Sequence, residues 1–108
     1  MRLEYACERL RAAIAVVATG EGRLPHRLRV AYDQLEDLGA ADFPEALQPA
    51  FAALTKDWDA VMVQRMRRET RGQLARELVT ALLVFYDQAC LARRTTEAAP
   101  LANGRTAP

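Results

Sequence analysis

Histidine occurs once in this sequence, as His26, and proton transfer by an imidazole needs a nucleophile or carboxylate at a definable spacing. The setting Leu24-Pro25-His26-Arg27 supplies neither, so His26 is read as an exposed first-turn residue. Cys7 and Cys90 stand near opposite ends of the chain, and with a single histidine they make no zinc spacing. No Glu-x-x-His pattern offers a di-iron set. The five glycines are scattered and form neither a phosphate-cradling loop nor a dinucleotide fingerprint. The expectation is a protein that is not an enzyme and uses no metal or cofactor. A pocket drawing on Tyr5, Tyr32, Glu36 and Trp58 is the weakest of the readings considered.

Charge offers more. Fifteen basic and fourteen acidic residues leave a net charge of +1, which gives no global steering toward nucleic acid or membrane, but the charges are unevenly placed. Residues 33–59 carry Asp33, Glu36, Asp37, Asp42, Glu45, Asp57 and Asp59 against Lys56, a local charge of −6. Residues 60–76 carry Arg65, Arg67, Arg68, Arg71 and Arg76 against Glu69, a local charge of +4. Such polarity suits a charge-matched protein contact. The arginines could instead grip phosphates, so a nucleic-acid interface built on Arg65, Arg67, Arg68 and Arg71 is the alternative, and a solvated face is the plain one.

The elements that must position these residues are all helical. Leu3, Ala6, Cys7, Leu10, Ile14 and Val17 recur at three-and-four spacing, and Gly20-Glu21-Gly22 predicts a stop near Thr19. A second helix opens around Pro25 with the stripe Leu24, Leu28, Ala31, Leu35 and Leu38, ending at Gly39. Asp42-Phe43-Pro44-Glu45 reads as a helix entry with Asp42 as its cap. Because Pro49 is unwelcome inside a helix, a short turn at 44–48 should precede a third helix that starts at Pro49 and buries Phe51, Leu54 and Trp58. The stretch 59–68 is either a helix of its own or a continuation of the third.

Thr70 and Gln73 have the form of a capping box, so the last helix should run from there to about Arg93. Its main stripe is Leu74, Leu78, Ala81, Leu82, Phe85 and Ala89, and beside it lies a second: Ala75, Val79, Leu83, Tyr86 and Cys90. In a four-helix bundle no member is fully enclosed, so the surplus at Val79, Leu83 and Tyr86, flanked by Arg76, predicts a protein-binding face. A symmetric dimer is one outcome; cover by the 59–68 element and the tail is the other. No segment alternates like a strand. The expected architecture is all-α: an antiparallel four-helix bundle over residues 1–94, with room for a short fifth helix, then a disordered C-terminal tail over 95–108.

A chain of 108 residues is one domain, and two cysteines are too few for a disulfide scaffold, so a reducing cytoplasm and two free thiols are expected. Up-and-down packing would bring Cys7 and Cys90 near each other. Acid and arginine residues interrupt the N-terminus as a signal peptide, and the apolar run 78–86 is less than half of the roughly 20 residues that span a bilayer, so no membrane association is expected.

The run Leu28-Arg29-Val30-Ala31-Tyr32, followed by Leu35 and Leu38, then Asp42-Phe43-Pro44-Glu45 with Leu47 and Phe51, resembles small all-helical bacterial proteins of about this size that have no assigned activity. The resemblance spans residues 3 to about 90, brings no catalytic residues, and implies a bacterial, cytoplasmic accessory or regulatory role. Helical ribonucleases of the higher-eukaryote and prokaryote nucleotide-binding class place an arginine four to six residues before a histidine. Arg23 stands three before His26, so that pattern is not met. The function expected is macromolecular interaction, with self-association or another protein as the partner.

Overall fold

The first apolar stripe winds into helix α1, Leu3–Thr19, in the computed structural model of the chain, which describes residues 2–63 and 68–106 (side chains 2–62 and 68–95). Its buried face is Leu3, Ala6, Cys7, Leu10, Ala13 and Val17. The predicted stop holds, and its reason is close approach. The Gly20 N–H donates to the Val16 carbonyl at 2.8 Å, and a Cβ at residue 20 would sit 2.5 Å from that oxygen and 3.1 Å from Arg27 Cγ. Two residues on, Gly22 takes φ +90°, which only glycine adopts at little cost.

Helix α2, Leu24–Tyr32, starts as expected, with Pro25 in its first turn, but ends seven residues before Gly39. From Asp33 to Leu38 the backbone tightens into i→i+3 bonds, as in Gln34 N to Ala31 O at 3.0 Å and Leu35 N to Tyr32 O at 2.9 Å. Side chains from elsewhere in the chain bond carbonyls of α2 and of this stretch. Trp58 Nε1 donates to Leu28 O at 2.9 Å, Arg9 Nε to Gln34 O at 2.8 Å, and Arg2 to Asp37 O at 3.2 Å. With those acceptors engaged, tertiary contact overrides the helical periodicity, yet Leu35 stays buried and Leu38 half-buried.

Two single 3₁₀ turns, Ala40–Asp42 and Glu45–Leu47, lead into α3, Gln48–Val63. Pro49 falls in the first turn of α3, where its missing N–H costs nothing. Phe51, Leu54, Trp58 and Val61 are buried along it. Residues 59–63 continue α3 rather than forming a fifth helix. The segment 64–67, with Arg65 and Arg67, lies outside the described residues.

The fourth helix, α4, spans Arg68–Thr106. It begins two residues before the predicted capping box, so Thr70 and Gln73 lie inside it. The Gln73 side chain instead donates to Glu77 Oε1 at 3.1 Å and accepts from Arg76 at 2.9 Å. Ala75, Leu78, Leu82, Phe85 and Ala89 form its buried stripe, while Leu74 is half-buried and Ala81 exposed. Beyond Ala89, Arg93 ties α4 to α1 through an ion pair to Glu4 at 3.2 Å. The helical backbone continues to Thr106.

The bundle closes because α1 packs on α2 and α4, α3 packs on α4 and α2, and α2 also touches α4. Phe43, delivered by the first 3₁₀ turn, meets Phe51 and Phe85 with ring centroids 4.6 and 5.1 Å away, pinning α3 to α4. Among the described residues there is no strand, and no helix is long and apolar enough to cross a membrane.

Candidate functional site

Two of the surface depressions along α4 take up residues singled out by the sequence. The first is an apolar groove where the end of α1 and the start of α2 meet the middle of α4. Val79 and Leu83 form its α4 wall, and Ile14, Val17 and Leu24 the other. The half-buried Arg27, whose Nη1 donates to the Val17 carbonyl at 2.7 Å, and the exposed Arg76 also line it, and its volume is about 350 Å³. Leu83 remains 48% exposed and, with the apolar groups beside it, belongs to a contiguous apolar patch. Helical geometry produces this wall: residues 76, 79 and 83 fall on one line three and four apart, turned from the Leu78–Leu82–Phe85 stripe toward α1.

Of the four residues expected to bind protein, the structure brings Arg76, Val79 and Leu83 together at this groove. Tyr86 sits one turn further on, half-buried. The Cys90 thiol beside its hydroxyl, then burial, push its pKa up, with Cys7 close enough to act on it as well. The antiparallel packing of α1 and α4 thus brings both cysteines to one tyrosine, and both are free thiols, Cys7 buried and Cys90 half-buried. Two other large apolar residues of α4, Val84 and Leu91, are exposed on the far side of the helix, and the sequence stripes did not single out Val84.

The second depression is a cleft of about 500 Å³ where α2 and α4 begin and α3 ends. Arg68 and Arg71 line it from α4, and Arg23, His26 and Arg29 from the start of α2. Its apolar floor is Pro25, Val61 and Met62. Arg29 donates to the Met62 carbonyl at 3.4 Å, at the end of α3. The arginine-rich segment is therefore split. Arg76 faces the groove, whereas Arg68 and Arg71 join arginines more than 35 positions upstream that sequence reasoning left out. The signal available was Arg23-x-x-His26-x-x-Arg29, a basic line at helical spacing in the first turns of α2.

Tyr32 and Trp58 pack at 5.7 Å between centroids, and burial first, then Asp59, raises the Tyr32 pKa. Tyr5 is separate from them: its hydroxyl donates to Asp37 at 2.6 Å. No group of histidine, cysteine or carboxylate side chains among the described residues is arranged to hold a metal ion. Comparison with protein-family models, curated proteins and solved structures found no match to the chain.

Proposed function

We propose that the protein is a non-catalytic interaction or regulatory protein that docks another polypeptide, first of all a second copy of itself, along the groove formed by α4. The observation that carries this reading is the half-exposed Leu83 beside Val79, Ile14 and Leu24, with Arg27 and Arg76 also lining the groove. Apolar walls supply attraction and these arginines select for a partner with carboxylates, which the acidic stretch 33–59 of a second copy carries. A bacterial cytoplasmic setting belongs to the same reading, supported by two free thiols and an arginine-rich, lysine-poor composition.

Light scattering across a concentration series tests it. Wild-type protein is expected to self-associate, and Leu83→Asp to shift it to monomer with its helical circular dichroism intact. A strict monomer that captures no protein from its source cell contradicts the proposal. The second reading, a nucleic-acid regulator, rests on the placement of Arg68 and Arg71 beside Arg23 and Arg29. A gel shift lost steeply between low and moderate salt is its signature.

A further inference from the structure

We infer that the arginine cleft is a binding site for a small organic phosphate, a phosphomonoester whose charged head lies among the guanidinium groups and whose carbon part rests on Pro25, Val61 and Met62. The cleft's volume of about 500 Å³ lies inside the range of small-molecule sites, about 300–1,000 Å³. Among the described residues, four arginines and the chain's one histidine line it, and no carboxylate does. Guanidinium forks match the geometry of phosphate oxygens, which is why arginine outperforms lysine at such sites.

Placement strengthens the case. Arg23 immediately precedes α2, so its cation stands at the positive end of that helix dipole, where cations are unfavourable. The first turn of α2 contains no acid and its N-cap makes no side-chain hydrogen bond. Glu69, in the first turn of α4, is exposed and does not line the cleft. A bound dianion would remove this repulsion and accept from the unpaired N–H groups at the start of α2.

One phosphate group fits better than a nucleic-acid strand. The arginines surround a concavity at one end of the bundle, and the next arginine along α4, Arg76, turns into the groove, so among the described residues no line of cations continues along α4 for a run of backbone phosphates.

His26 makes the site directly observable, because the full chain has one histidine ring to follow by NMR. Titration with phenyl phosphate is expected to move the His26 ring signals to saturation and to raise the melting temperature. Benzyl alcohol, which keeps the ring and lacks the charge, should do neither. Arg68→Glu and Arg23→Glu, both at exposed positions, should each weaken phenyl phosphate by about tenfold or more. Circular dichroism checks that each variant is folded; if only one of them folds, that one decides. Leu83→Asp should leave the titration unchanged. A shift that never saturates, an equal response to benzyl alcohol, or undiminished binding by the folded variants overturns the assignment. Tighter binding of a short single-stranded oligonucleotide than of phenyl phosphate overturns it in favour of nucleic acid.

Discussion

Asp42 is the one buried charged residue among those described, and it shows how a single carboxylate locks the chain's entry to its loop. Arg2 donates to it at 2.8 and 3.1 Å, and the Gly39 N–H at 2.9 Å. The bond to Arg2, then the bond to Gly39, outweigh desolvation and hold the Asp42 pKa below the usual carboxylate value. A depressed folded-state pKa gives stability that is full above the unfolded value of about 3.9 and is lost as pH falls through the lower folded value. Asp42→Asn should therefore cost about 1–3 kcal/mol at neutral pH. Urea midpoints of wild type and variant, apart at neutral pH, should converge as the pH is taken below about 4. Trp58 offers a second test at this scale. It is fully buried and its indole N–H satisfies the Leu28 carbonyl, so Trp58→Phe leaves a buried acceptor without that donor, and about 2 kcal/mol should be lost on the same midpoint measurement. Asp before Phe-Pro-Glu made a turn at Asp42 legible, but Asp42 does not cap the helix entry after it: Pro44 holds that position without a side-chain bond, and the Asp42 carboxylate accepts from the Gly39 N–H, three residues back. The partner of Asp42, Arg2, 40 positions away, was not legible, since nothing local encodes such a pairing.

At the scale of the element, periodicity predicted what is buried better than where helices end. Leu28, Ala31 and Leu35 are all buried, although α2 stops at Tyr32 and Leu35 arrives on a 3₁₀-like turn. The stripe survives because it records which side faces the core, while the boundary depends on the distant donors Arg2, Arg9 and Trp58. Leu28→Ala should cost about 2–5 kcal/mol, with loss of cooperativity in thermal melts at the upper end of that range. The groove was partly legible for the same reason: Val79 and Leu83 stand on a surplus stripe, but their α1 wall required knowing that α1 and α4 are neighbours. That adjacency also places both cysteines beside Tyr86. Accessibility then predicts that a thiol reagent labels Cys90 well before Cys7 in folded protein, and that denatured, unreduced protein releases two thiols. The cleft was the least legible feature, because its five basic residues come from two segments that only the bundle brings together.

Two separable driving forces are available to the proposed assembly, and they predict opposite responses to salt. The acidic stretch 33–59 and the arginines at the starts of α2 and α4 favour head-to-tail contact by long-range attraction. The groove around Leu83 favours burial of apolar area, which does not depend on charge screening. The screening length falls from about 10 Å at 0.1 M salt to about 3 Å at 1 M, enough to remove attraction between exposed charges. If docking runs through the groove, the associated fraction measured by light scattering should hold or rise between those two salt concentrations, and Leu83→Asp should abolish it at both. The exposed Arg76 would then set the rate of encounter more than the final affinity, so charge removal there should slow association while leaving dissociation nearly unchanged. Dissolution of the assembly at 1 M salt, with Leu83→Asp without effect, would place the contact on the charged ends of the bundle and leave the groove unoccupied.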